Sequence, residues 1–173
     1  IYAHVRAKDE VAGFQRLVKT GKTYGVWDSK YESKIHVVLG DLSSPQFGLD
    51  DSKWGKLTDT IDVIVHNGAL VHWVYPYDKL RDANVISTIN VLNMCAVGKP
   101  KHFTFVSSTS TVDVPHYVSL GANLHSADQD KGGIPEADDL MAAKTGLGTG
   151  YGQSKWAAEY IIRREGDAGL RGA

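Results

Sequence analysis

With 173 residues, 42% of them hydrophobic and 23% charged, and a net charge of −1, the chain has the composition of one globular unit or a large part of one. The even charge balance, with no basic run, excludes the electrostatic footprint of a nucleic-acid or anionic-membrane binder. No apolar run approaches the roughly 20 residues of a membrane span, and a lone cysteine, Cys95, excludes an intrachain disulfide and fits a reducing, cytosolic setting.

Ile1 to Val5 alternates like a strand already in progress and opens without methionine, so the sequence reads as part of a longer chain. Arg6-Ala7-Lys8-Asp9 closes that strand, and Val11, Phe14, Leu17 and Val18 then fall on one helical face. Ile35 to Leu39 is a β-branched run ended by Gly40-Asp41-Leu42, and Ile61 to Val65 is another, ended by His66-Asn67-Gly68-Ala69. Asn84 to Val97 places Val85, Ile89, Leu92 and Ala96 at helical spacing, and Gly98 and Pro100 stop it. Cys95, within this apolar pattern, reads as a core residue. Phe103 to Val106 gives a further strand ending in Ser107-Ser108-Thr109. Val112 to Thr149 has little period, and a helix starts near Gly150. Continuous apolar strands separated by helices predict a doubly wound α/β fold with a parallel sheet. Ligands of such folds sit beyond the carboxyl ends of the strands, which directs attention to the polar residues just after each run.

In Gly150 to Tyr160 the pair Tyr151 and Lys155 is four residues apart, on one helical face. A free tyrosine titrates near ~10, and a fixed ammonium beside it is one way to make it a proton donor. Tyr75 and Lys79 share the spacing, but Pro76 pushes Tyr75 out of helical geometry. Arg6 ends the first strand and Arg16 lies along the following helix. In a dinucleotide fold an arginine there suits a 2′-phosphate, where an acidic residue would suit a free hydroxyl, so the expected cofactor is NADPH. Asp41 and Leu42 could set a carboxylate and an apolar wall against adenine, or form an ordinary turn. Asn67, Gly68 and Ala69 end their strand with little bulk, where a cofactor could approach the backbone or a plain turn could form. Gly146, Gly148, Gly150 and Gly152 follow no strand and read as backbone freedom rather than a phosphate loop. The seven histidines show no metal-ligand spacing, and His66 and His72 read as hydrogen-bonded structural residues.

The blocks V-H-N-G-A-L-V-H-W-V-Y-P-Y at 65 to 77, A-N-V-I-S-T at 83 to 88, F-V-S-S-T-S-T-V at 105 to 112 and T-G-L-G-T-G-Y-G-Q-S-K-W at 145 to 156 resemble the extended short-chain dehydrogenase/reductase superfamily. Within it they look like the thioester-reductase domains of fungal α-aminoadipate reductases. The resemblance covers 1–173 as a partial NADP-binding thioester-reductase domain. It implies a Rossmann-like fold whose first strand, glycine-rich pyrophosphate turn and substrate lobe lie outside this stretch, which alone would be inactive. It further implies Thr109, Tyr151 and Lys155 as catalytic residues, with Ser108 the other choice for the hydroxyl, Lys155 also binding the cofactor at its nicotinamide ribose, and Arg6 and Arg16 as the pair for the 2′-phosphate. The substrate would be an acyl thioester on a phosphopantetheine-bearing carrier domain, reduced to the aldehyde in lysine biosynthesis. Another extended-family enzyme, such as a nucleotide-sugar epimerase, dehydratase or fatty acyl reductase, or a non-catalytic dinucleotide-binding module, stays open at this point.

Overall fold

The computed structural model describes residues 1–122 and 133–170. Within these residues four short strands, β1 (Tyr2–Val5), β2 (His36–Leu39), β3 (Val63–His66) and β4 (His102–Phe105), form two parallel pairs, β1 with β2 and β3 with β4. Among the described residues six α-helices accompany them: α1 (Glu10–Thr23), α2 (Asp51–Thr60), α3 (Tyr77–Arg81), α4 (Ser87–Ala96), α5 (Pro115–Ala122) and α6 (Gly150–Asp167).

Strand alternation sorts the core. Val37 and Leu39 turn towards α1, where Gly13 lets the helix come close: a Cβ there would stand 2.8 Å from Val37. Val38 turns the other way and joins Ile64 and Phe103 in packing on one apolar cluster built from Phe47, Leu49, Val91, Met94 and Cys95. Both strand pairs thus rest on the same cluster, with α1 opposite it on the first pair, which is the layering of a doubly wound fold. Cys95 lies within the cluster, and burial pushes its thiol above the ordinary range.

Two amphipathic readings shift. Val11 is 68% exposed, because the contact of α1 is centred on Gly13, on the opposite side of the helix. At the start of the fourth helix Asp82–Ile86 forms a π-turn, whose extra residue rotates the turns of α4 beyond it. Ala96 therefore faces solvent while Thr88, Val91 and Cys95 are buried. The sequence reading passed over α2. Its signals are Asp50, whose carboxylate caps it by accepting from the Lys53 N–H at 2.8 Å, and the spacing of Trp54, Leu57 and Ile61.

The described part of the irregular stretch is a second small core of Val114, Tyr117, Leu140, Ala143 and Leu147. The Tyr117 hydroxyl donates to Asp138 at 2.6 Å, and the same carboxylate accepts from the Leu140 N–H. Trp156 of α6 donates from its indole nitrogen to the Leu140 carbonyl at 2.8 Å, which fastens this unit to the helix carrying Tyr151.

Candidate active site

Every strand end named in the sequence lies on one connected rim. Arg6 follows β1, and its guanidinium meets the Asp41 carboxylate beyond β2 at 3.5 Å. The Arg16 guanidinium donates to the Arg6 carbonyl at 3.0 Å, so α1 delivers a second cation to the same point. The Arg6 side chain is 75% exposed, and an ion pair this open and this long contributes little, leaving the guanidinium free to turn to another anion. Asp41 is held below the usual carboxylate range, first by the Ser43 N–H that it accepts at 2.8 Å and then by Arg6. Leu42 leans over the turn after β3: a Cβ on Gly68 would stand 2.8 Å from the Leu42 side chain. The space beside Gly68 is therefore taken by Leu42, and two residues read separately from the sequence form one surface. Asn67 and Gly68 are exposed beside it, and Ala69 is half-buried.

His66, last in β3, is buried, with its Nε2 3.1 Å from the Thr88 hydroxyl and 3.3 Å from that of Ser87. Desolvation first, then the positive charge of Lys155, brings its pKa down to about 4, so it is a neutral structural imidazole. His72 stacks on Tyr75 with ring centroids 3.5 Å apart.

The helix carrying Tyr151 and Lys155 begins where expected, at Gly150, with Thr149 as its cap accepting from the Gly152 N–H at 3.1 Å. Tyr75 is left outside α3, which starts at Tyr77 after an extended Pro76. The glycines before α6 act differently from the sequence reading. None of the four has a positive φ, so conformational freedom is not their role. Gly150 and Gly152 instead permit close approach. A Cβ on Gly150 would stand 2.6 Å from Pro76 C and Tyr77 N, and one on Gly152 2.7 Å from the Ser110 carbonyl. Small residues thereby seat the first turn of α6 on the backbones of 75–77 and of 108–111.

Lys155 is buried, its ammonium donating to the Val106 carbonyl at 2.6 Å and lying 3.9 Å from the Phe105 ring centroid. Desolvation lowers its pKa to about 8. Among the described residues no hydrogen bond joins it to Tyr151, whose own hydroxyl is left without a partner there. Ser107 donates to Glu159 at 2.5 Å, a second tie between the end of β4 and α6. Ser108 caps the short 3₁₀ turn Thr109–Val112 by accepting from the Ser110 N–H and also donates to the Ser110 hydroxyl, whereas Thr109 is exposed and uncommitted among the described residues.

A site residue that the sequence reading missed is Asn84. Buried in the π-turn, it accepts from the Leu70 N–H at 2.7 Å and donates to the Leu70 carbonyl at 3.1 Å and to the Ser154 hydroxyl at 2.9 Å. Ser154 in turn donates to the Tyr151 carbonyl at 2.8 Å. An asparagine in an otherwise apolar helical pattern, with buried Ser87 and Thr88 after it, is the signal that could have found this network. Among the described residues no cluster of His, Cys, Asp and Glu could hold a metal ion, and no helix is long and apolar enough to cross a membrane.

The profile of an NAD-binding family described as Male sterility protein matches residues 1–173. The chain is 65% identical over 172 residues to L-2-aminoadipate reductase of Saccharomyces cerevisiae, covering 99% of this chain and 12% of that protein. It is 58% identical over 173 residues to the L-2-aminoadipate reductase large subunit of Candida glabrata, again 12% of that protein. The terminal R domain of the myxalamid PKS-NRPS biosynthetic pathway, a crystal structure, superposes with a TM-score of 0.85 at 34% identity, over 98% of this chain and 40% of that one. The chain thus spans about an eighth of the length of these curated relatives.

Proposed function

The chain belongs to the NAD-binding family described as Male sterility protein, and from that membership we propose that it is part of an NADPH-dependent thioester reductase. Its substrate in this reading is a 2-aminoadipyl group held as a phosphopantetheine thioester on a carrier domain, its product is the aldehyde, and its place is the cytosol. The names of the relatives support the acyl group. The observation that carries the reading is the fastening of α6 to the end of β4 through Lys155 and Val106, which sets Tyr151 and the uncommitted Thr109 on one rim with the strand ends.

NADPH would supply the hydride when bound. Arg6 and Arg16 would hold its 2′-phosphate, Leu42 and Asp41 would face the adenosine, and Asn67, Gly68 and Ala69 would line the path between. The exposed guanidinium of Arg6, with a second cation fixed on its carbonyl, fits a phosphate rather than a ribose hydroxyl. Thr109 and Tyr151 would hydrogen-bond the thioester oxygen as negative charge develops there, with Tyr151 giving up its proton to that oxygen. Lys155 would keep a positive charge beneath the site. With a hydride added to the carbonyl carbon and a proton to its oxygen, the hemithioacetal would re-form the carbonyl as its carbon–sulfur bond breaks and its hydroxyl proton passes to the sulfur, releasing aldehyde and free thiol.

In the full-length protein, an acyl-pantetheine thioester should be consumed with one NADPH oxidised and one thiol released for each aldehyde formed. A cofactor that is recycled without net oxidation would instead favour an epimerase or dehydratase. Arg6→Asp should weaken NADPH at least about tenfold more than NADH in a binding titration, because a bidentate partner of the phosphate becomes a repulsive one. Equal losses for the two cofactors would remove the phosphate role.

A further inference from the structure

The segment from Leu70 to Tyr75 is apolar and largely exposed, yet it is fixed at both ends. At its start, Asn84 takes both backbone groups of Leu70. At its end, Tyr75 and Pro76 are in backbone contact with Gly150, one residue from Tyr151. In between, His72 stacks flat on Tyr75, 13° from parallel, and accepts from the Val74 N–H at 3.4 Å. Short anchors on each side of a stacked pair make a rigid projection of a stretch that composition alone would leave loose. At its tip Trp73 is 72% exposed, with its ring centroid 6.4 Å from that of Tyr151. One side of the indole therefore meets the proposed proton donor, and the remainder is open.

We infer that Trp73 is a specificity-determining residue, the wall against which the uncharged chain flanking the thioester carbonyl lies as that carbonyl reaches Tyr151. This rests on the thioester-reductase reading and adds to it the surface that grips the substrate. The chemistry of the wall selects the ligand. Residues 70–76 carry no Asp, Glu, Lys or Arg, so the segment suits methylene and amide groups and sets no full charge against a carboxylate or a phosphate. A rigid aromatic face orders little of itself when a flexible chain packs on it, which is the condition for a useful contact. Two chains flank a thioester carbonyl, the acyl methylenes on one side and the pantetheine arm on the other, and both share this chemistry.

The test uses the full-length protein, with acyl thioesters of graded chain length on pantetheine and on the truncated N-acetylcysteamine. Trp73→Ala should raise KM about tenfold, leave kcat within about twofold, and leave NADPH affinity and Tm unchanged, while Trp73→Phe keeps most of the wild-type KM. A KM effect that grows with acyl length on both thiols puts the acyl chain on the wall. One confined to the full pantetheine puts the arm there. Either outcome supports the inference. Wild-type KM for every thioester in Trp73→Ala, with Tyr151→Phe inactive, overturns the wall and leaves the reductase reading standing. A parallel loss of NADPH affinity or Tm overturns it too, since Trp73 would then act through the fold. Wild-type protein that consumes no thioester overturns both.

Discussion

Tyr151→Phe in the full-length protein should lower single-turnover NADPH oxidation by the roughly 10²- to 10⁴-fold typical of a lost general acid, with cofactor affinity barely moved. The change is local. The side chain is half-buried in the first turn of α6, its carbonyl is fixed by Ser154, and its hydroxyl is uncommitted among the described residues, so phenylalanine removes a proton and little packing. Tyr75→Phe is the control for chemistry, being outside α3 and stacked on His72. The pH profile reports on the neighbouring lysine. With a folded pKa lowered to about 8, the Lys155 ammonium is present below that pH and lost above it. Wild-type turnover should therefore fall as pH rises through about 8, and Lys155→Arg, charged throughout, should move that limb upward. Stability has the opposite sense. Between about 8 and the usual lysine range, the unfolded chain binds a proton that the folded chain has released, so folding stability rises with pH across that window. A Tyr151→Phe enzyme as fast as its parent would reduce the tyrosine and lysine spacing to a structural feature.

The second large effect belongs to a residue without a side chain. Gly150→Ala puts a Cβ within 2.6 Å of backbone atoms of Pro76 and Tyr77, which cannot swing aside as a side chain would. Either α6 or the 75–77 segment must shift. Overpacking of this kind typically destabilises by about 1–3 kcal/mol. The displacement acts on Tyr151, the next residue, and a misplacement of about 1 Å can reduce turnover by about 10²-fold. Gly148→Ala is the matched comparison, since nothing lies within 4 Å of its added Cβ and its φ is not positive. Turnover and Tm measured for both should separate them. Equal behaviour would mean that the close approach at Gly150 has no part in placing the tyrosine.

The parts of this structure legible in the sequence are those set by local periodicity and by strand ends. The four segments read as strands became the four strands within a residue or two, and Gly150 opened α6, because alternation and caps are short-range signals. The same logic brought out Arg6, Asp41 and Gly68, each within two residues of a strand end. The hidden parts depended on partners far along the chain. Nothing near Gly150 announces that it abuts Tyr75, and nothing near Asn84 announces Leu70 and Ser154, so the glycines read as freedom and the asparagine as part of a helix face. The π-turn at Asp82–Ile86 is a tertiary choice of the same kind: the extra residue lets Asn84 face inward to those partners. Trp54 and Leu57 were a different failure, since their helical spacing and the Asp50 cap were present and were passed over between two strands.

The ties that hold α6 in place also say when it can form during folding. Asn84 to Ser154 closes a span of 70 residues, Ser107 to Glu159 one of 52, and Lys155 to Val106 one of 49. Contacts this distant in sequence reward the chain only after the intervening loops have closed, so they belong to the late part of the pathway. The strand pair β3 and β4, with α4 between them, can assemble beforehand from nearer neighbours. Polar side chains such as Ser154 and Asn84 then lock rather than nucleate. Weakening them with Ser154→Ala should chiefly speed unfolding and leave the refolding rate close to that of the parent, a partition that stopped-flow measurements of both limbs would read directly. The arrangement that carries the chemistry is in this sense the last thing the polypeptide acquires and the first it surrenders.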